Sequence, residues 1–231
     1  MISVIIPSYN HASSVGKAID SALSSTNVDI EIIVVNDGSS DDTKDALRQY
    51  EELDRVKVIH QENRGSNPTR NRGFKESSGD YVIFLDADAI LVPDALEKLE
   101  NALIGSEASF AYSDFRFGWK LFKTGAFDIE RLKKMNYIHT SGLIKRDDFP
   151  MFDEAVKRFQ DWDLWLTMSE AGHTGVYVPG ELMSMTVERA GISSWLPKSW
   201  YKAPWKWLPG ISARVKKYEA AKAVIINKHS L

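Results

Sequence analysis

Short apolar runs and stretches of helically spaced apolar residues alternate through the first third of the chain. Residues 3–7, ending in Pro7, read as a buried strand. A loop follows in which Asn10 is placed to cap a helix, and Val15, Ala18, Ile19, Ala22 and Leu23 then keep to one helical face. Residues 30–35 form a second run. Ser40 or Asp41 can cap a helix carrying Ala46 and Leu47, and residues 56–60 form a third run. A short helix around Arg70 leads to residues 81–85, an apolar stretch continuous enough for a strand covered on both faces. This β-α-β-α-β-α-β order predicts an α/β fold with a doubly wound, mostly parallel sheet flanked by helices, its first half Rossmann-like. Beyond Pro93, Leu96, Leu99 and Leu103 mark a helix, residues 109–115 and 138–146 two further strands, and a helix begins near Asp161. Residues 116–136, aromatic and basic, interrupt the regular pattern.

In such a sheet the loops after the strands gather at one edge and form the ligand crevice. Here those loops hold Tyr9, Asp37, Arg64, Arg70, Asp86 and Asp88. Tyr9 offers a ring to a base, Asp37 an acceptor to a base N–H or a ribose hydroxyl, and Arg70 a guanidinium fork to diphosphate oxygens. Asp86 and Asp88, one residue apart at a strand end, suit a hard divalent cation such as Mg²⁺ or Mn²⁺. Each has a plainer reading: a turn and helix cap at Asp37, a rim aromatic at Tyr9, solvated arginines, solvated strand-end aspartates. The plainer readings weaken because the residues fall on successive loops of one edge. Neither G-x-G-x-x-G after the first strand nor G-x-x-x-x-G-K-[ST] is present, which disfavours dinucleotide and P-loop sites.

Composition changes this picture little. The 231 residues, 43% hydrophobic and 26% charged, fit one soluble α/β domain with a modest appendage. The absence of cysteine excludes disulfides and thiolate chemistry, and permits a reducing compartment. The first residues lack a basic, cleavable signal, and no run is long enough to span a membrane, so a cytoplasmic location is expected. The net charge of -3 argues against nucleic acid as a partner, but it hides an asymmetry. Residues 195–231 carry eight Lys/Arg against one Glu, a +7 tail behind a -10 body.

The segments Ser3-Val4-Ile5-Ile6-Pro7-Ser8-Tyr9-Asn10, Val35-Asn36-Asp37-Gly38-Ser39-Ser40-Asp41-Asp42-Thr43, Arg70-Asn71-Arg72-Gly73 and Phe84-Leu85-Asp86-Ala87-Asp88 together resemble family 2 glycosyltransferases of the GT-A fold. The resemblance covers residues 1 to about 190. It implies that Pro7, Tyr9 and Asp37 hold the nucleotide, and that Asp86 and Asp88 bind the cation and the sugar-nucleotide diphosphate, Asp88 being the usual metal contact. Where the family often has a third carboxylate, this chain has Ala89. The family commonly shows Glu-Asp before Leu-Trp, its Asp acting as base on the acceptor hydroxyl; here Gln160-Asp161 keeps only the Asp. Read locally, Asp161 is equally suited to capping its helix. Arg189 stands near the place of a family histidine that joins the metal or phosphate site, while His139 and His173 read as structural.

The expectation is therefore a metal-dependent, inverting glycosyltransferase acting in cell-surface polysaccharide or glycolipid synthesis. Its donor is a nucleotide-diphosphate sugar, UDP-sugar favoured, and its acceptor a glycan or lipid-linked hydroxyl. Residues 1–194 form the catalytic domain, with 1–92 binding donor and 93–194 shaping the acceptor cleft. Alternatives are a catalytically silent sugar-nucleotide-binding protein, a sugar nucleotidyltransferase and a haloacid-type phosphatase. The last two place their glycine-rich loop or Asp-x-Asp after the first strand, unlike this chain. In the tail, Trp195, Trp200, Trp205 and Trp207 are interleaved with Lys198, Lys202 and Lys206 ahead of a helix with Ile211, Val215, Tyr218, Ala221 and Ile225 on one side. That pattern fits peripheral attachment to an anionic membrane at its inner face, or packing against the domain itself.

Overall fold

The structure, a computed structural model, describes residues 1–186 and 209–231. Strands β1 (Ile2–Ser8), β2 (Ile30–Asp37), β3 (Val56–Gln61) and β4 (Tyr81–Phe84) pair in parallel in the order β3-β2-β1-β4. Helices α1 (Val15–Leu23), α2 (Thr43–Leu47) and α3 (Ser66–Lys75) connect them. The second half supplies β5 (Ala89–Leu91), α4 (Ala95–Ile104), β6 (Phe110–Phe117), β7 (Lys120–Phe122), α5 (Ile129–Lys134), β8 (Leu143–Lys145), α6 (Gln160–Glu170), β9 (Gly175–Met185) and α7 (Pro209–Lys228). It extends the sheet as β4-β8-β6-β9-β5, with β7 paired to the end of β6 at Phe115–Phe117. Strand β8 runs antiparallel to both β4 and β6, so the sheet is mixed, as the sequence implies.

The two-residue period of the strands sorts the core into two layers. Val4, Ile6, Ile32, Val34 and Ile83 face α1 and α4, meeting Val15, Ile19, Leu96 and Leu99. Ile5, Ile33, Val35, Val82 and Phe84 belong to the other layer, with Trp162 and Trp165 of α6 and Ile225 of α7. At roughly 1.5–3 kcal/mol for each large side chain fully buried, these layers fix the register of the crevice loops. Gly73 lets α3 lie flat on the sheet: a Cβ there would stand 2.4 Å from Ile5 Cγ2.

Several local expectations change. Asn10 does not cap α1. It takes φ 58°, and its side chain accepts from Ser40 N (2.8 Å) and Asp41 N (3.4 Å), tying the first crevice loop to the second. The strand expected over 138–146 shrinks to β8. Before it, the Ser141 hydroxyl donates to the Phe84 carbonyl (2.7 Å), and Gly142 lies so close to Trp165 that a Cβ would meet its ring at 2.9 Å. The insert at 116–136 holds the β6–β7 hairpin and α5. Trp195, Trp200, Trp205, Trp207 and Arg189 lie outside the described residues. The expected helix after them is α7, and its far end packs on the domain: Ile225 is fully buried, and Tyr218 meets Phe159 edge-on at 5.0 Å. No helix among the described residues is long and apolar enough to cross a membrane.

Candidate active site

The two aspartates do not stand on a strand. Strand β4 ends at Phe84; Leu85 N still bonds to Ile5 O (2.9 Å), and Ala89 N then turns back onto Asp86 O (2.9 Å). Asp86 and Asp88 thus sit in the turn between β4 and β5, and the turn, not the two-residue period of a strand, sets their side-chain directions. Arg70 Nη2 donates to Asp86 Oδ1 at 2.8 Å, and His139 Nε2 stands 3.7 Å from Asp86 Oδ2. Burial works to raise the Asp86 pKa, but the neighbouring Arg70 and His139 outweigh it and hold the carboxyl below its usual range. Asp88 has no such cation against it. Burial and the negative charge of Asp86 push its pKa up. A partly buried carboxylate raised by a second carboxylate is a site that gains from an added cation, and its donors are hard oxygens. Among the described residues no cluster of three or more His, Asp or Glu could hold a metal alone. A cation here would need further oxygens from its ligand.

Arg70 is buried, and its fork is engaged: besides Asp86 it reaches Gln160 Oε1 at 3.4 Å, and it lies over the Phe152 ring at 5.4 Å. Arg70, expected as a contact to diphosphate, braces the aspartate turn against the start of α6. Its neighbours on α3 have separate tasks. Asn71 exchanges hydrogen bonds with the Phe152 backbone (2.8 and 2.9 Å), and Asn67 donates to the carbonyls of Asp153 and Val156. Helix α3 therefore ties the aspartate turn to the segment that enters α6.

Asp37 is 3% exposed and already accepts three hydrogen bonds, from Gln61 Nε2, Arg64 N and Gly65 N, at 2.7 to 2.9 Å. Two carboxylate oxygens offer about four lone-pair sites, so room remains for one more donor, on Oδ2. Asp37 thus shapes the loop after β3 as well as facing the crevice. Tyr9 is 49% exposed at the rim. Pro7 sits one residue before the carboxyl end of β1, in register with Val35. The next hydroxyl, Ser8 Oγ, is buried without a partner among the described residues. The Arg64 side chain is exposed and lines an outer groove along α3 with Arg72, Lys75 and Lys157, so it stands at the edge of the crevice.

Asp161 lies in the first turn of α6, not at its cap; the cap position belongs to Phe159, in left-handed conformation at φ 59°. Its Oδ1 accepts from Trp162 N (2.9 Å) and its Oδ2 from Asn136 Nδ2 (2.6 Å). Burial raises its pKa, with His139, the Trp162 N–H and Asn136 acting against the rise. A carboxylate whose pKa is raised by burial takes up a proton more readily than a free one, which suits it to act as a proton acceptor. His139, expected to be structural, faces the aspartate turn: its ring packs on Phe115 at 5.2 Å, its Nδ1 accepts from Ser141 N, and its Nε2 stands 3.7 Å from Asp86 Oδ2. In the sequence its mark is its place at the start of the stretch 138–146 read as a strand.

The Glycosyl transferase family 2 model matches residues 3–149. An uncharacterized glycosyltransferase of Rickettsia typhi is 32% identical over 186 residues, covering 71% of this chain and 57% of that protein. The putative teichuronic acid biosynthesis glycosyltransferase TuaG of Bacillus subtilis is 35% identical over 117 residues, covering 50% of this chain and 46% of its own. The chain therefore spans less than two thirds of the length of these relatives. Among solved structures, S. aureus TarS in complex with UDP-GlcNAc superposes with a TM-score of 0.69 at 17% identity, over 84% of this chain and 61% of that one, a likeness of fold. With its family match running from β1 through the aspartate turn to Phe149, this chain belongs to glycosyl transferase family 2.

Proposed function

We propose that this chain transfers a sugar from a nucleotide-diphosphate donor to an acceptor hydroxyl with inversion, aided by Mg²⁺ or Mn²⁺. The observation that carries this reading is the bracing of two acidic centres by one guanidinium: Arg70 bonds to Asp86 at 2.8 Å and to Gln160, the residue before Asp161, at 3.4 Å, while His139 faces Asp86 at 3.7 Å. Tyr9 and Pro7 border the place for the base, and the open lone pair of Asp37 suits a base N–H or ribose hydroxyl. Asp88, with Asp86 beside it, would hold the cation, which when bound neutralises charge on the departing diphosphate. Asp161 takes the proton of the acceptor hydroxyl as its oxygen bonds to the anomeric carbon, opposite the leaving nucleoside diphosphate. A single displacement of this kind inverts the anomeric configuration. Arg70 keeps Asp86 ionised and in place throughout.

UDP-sugars are the favoured donors, since TarS, which shares the fold, was crystallised with UDP and with UDP-GlcNAc. A glycan or lipid-linked acceptor in cell-surface polysaccharide synthesis is in keeping with the name of TuaG. The +7 charge of residues 195–231 supports work at the cytoplasmic face of an anionic membrane. Incubation with UDP-, GDP- and dTDP-sugars, with and without Mn²⁺, tests the proposal through thermal shifts and nucleotide release. Mn²⁺-dependent stabilisation and turnover by one donor class is expected. Binding without turnover on any acceptor panel would mark a silent sugar-nucleotide-binding protein, and neither would overturn the reading.

A further inference from the structure

Helix α6 meets the segment 132–138 through donors one turn apart. Trp162 Nε1 donates to Leu132 O at 2.7 Å, and Trp165 Nε1 to Ile138 O at 3.2 Å. Both indoles are buried, so a slip of the segment along α6 would strand two N–H groups without water. Between those two anchors, Asn136 Nδ2 donates to Asp161 Oδ2 at 2.6 Å, and Asn136 Oδ1 accepts from Ile138 N at 3.4 Å. The segment is fixed again downstream, where Ser141 bonds to the carbonyl at the end of β4. We infer that Asn136 is the positioning residue of the base: locked in register by the two indoles, its amide orients the Asp161 carboxylate and keeps it in the proton-accepting form.

The amide can donate to this oxygen but cannot take its proton, so the hydrogen bond favours the ionised carboxylate without competing for the substrate's proton. The groups facing Asp161 are few. Asn136 and His139 come from the segment before β8, the Trp162 N–H from α6 itself, and Arg70 of α3 stops at the neighbouring Gln160. Burial raises the carboxyl and no guanidinium lies against it; His139, the Trp162 N–H and then the Asn136 amide oppose the rise, and the amide is the side-chain donor bonded to Oδ2. The inference rests on reading Asp161 as the base, and its test separates the two.

The ¹³C carboxyl signal of Asp161, identified by its disappearance in Asp161→Asn, is titrated in the full chain as wild type, Asn136→Ala and Asn136→Asp. Loss of a donor to a charged acceptor should move the Asp161 titration upward by about one to two pH units in Asn136→Ala. In the near-isosteric Asn136→Asp, two carboxyls within 2.6 Å should titrate in two linked steps. The acid limb of UDP release from UDP-GlcNAc should follow the same shift. An Asp161 titration unmoved in both variants, or activity that falls equally at every pH, would overturn the inference and leave Asn136 a packing residue. A shifted titration alongside undiminished turnover in Asp161→Asn would instead overturn the base assignment.

Discussion

Replacing Arg70 by Met tests the brace on which the crevice depends. Met keeps an unbranched apolar stem but removes the guanidinium that lies over Phe152 at 5.4 Å and meets Asp86 Oδ1 at 2.8 Å, in a pair whose side chains are 8% and 29% exposed. At an effective dielectric of about 20, opposite unit charges at that distance attract by ~6 kcal/mol. Part of this attraction offsets the cost of burying both groups, and breaking such a pair typically costs about 3–5 kcal/mol. The sign with pH follows from Asp86. Its pKa is held below the ordinary 3.8 in the folded wild type, so its contribution is present above 3.8 and lost as pH falls through the lower folded value. In Arg70→Met burial is no longer outweighed, the folded pKa rises, and ionised Asp86 then works against folding at neutral pH. Urea unfolding at about pH 7 and again near pH 4 should show a gap of about 3–5 kcal/mol that narrows on acidification. Arg70→Met/Asp86→Asn, with no unpaired charge left, should recover much of it. A loss under about 1 kcal/mol, independent of pH, would refute the argument and leave Arg70 as packing.

Asp161→Asn keeps shape and size but accepts no proton, so turnover should fall about a hundredfold or more while donor binding stays within a few-fold; steady-state kinetics and calorimetry read the two separately. Lys228→Met should loosen the C-terminal clamp on α6, where Lys228 Nζ meets Asp153 at 2.7 Å and Asp163 at 2.8 Å beside His229. The bond to Lys228 lowers Asp153, and the bonds to both aspartates raise Lys228 despite its burial. The clamp therefore stabilises between the ordinary values of 3.8 and 10.5 and fades as pH falls through the lower folded pKa of Asp153 or rises through the higher one of Lys228. With both ends of the Asp153 pair partly exposed, about 1–2 kcal/mol should be lost in urea titrations at neutral pH.

The sheet of the first half was legible because β1, β2 and β4 are nearly continuous apolar runs and α1 keeps one apolar face; those signals are local, whereas α3 buries polar residues and carries no such face. The crevice residues were legible as a set for the same reason, since strand ends dictate where loops gather. What the sequence hid were contacts made across long separations. Arg70 looked like a free cation because the partners that consume it, Asp86 and Gln160, lie 16 and 90 residues away. Asp37 looked like a simple acceptor because the backbone groups filling it belong to the loop after β3. Asn10 carried a cap signature, yet its side chain serves the neighbouring loop instead of its own helix. Asn136 ends the insert that interrupts the regular pattern, and His139 lies at the edge of the run read as a strand over 138–146, where spacing does not mark a residue's distant neighbours. The C-terminal helix read as amphipathic, but which surface it covers was fixed by Ile225, Lys228 and His229 finding α6.

The central claim is that the aspartate turn binds a nucleotide diphosphate through a divalent cation. Calorimetric titration of UDP into wild type and Asp88→Ala, each with and without Mn²⁺, measures it directly. The account predicts binding by wild type that strengthens at least tenfold with Mn²⁺, a gain of about 1.4 kcal/mol or more, and no Mn²⁺ dependence in a folded Asp88→Ala protein. The same Mn²⁺-dependent affinity in Asp88→Ala as in wild type would contradict it.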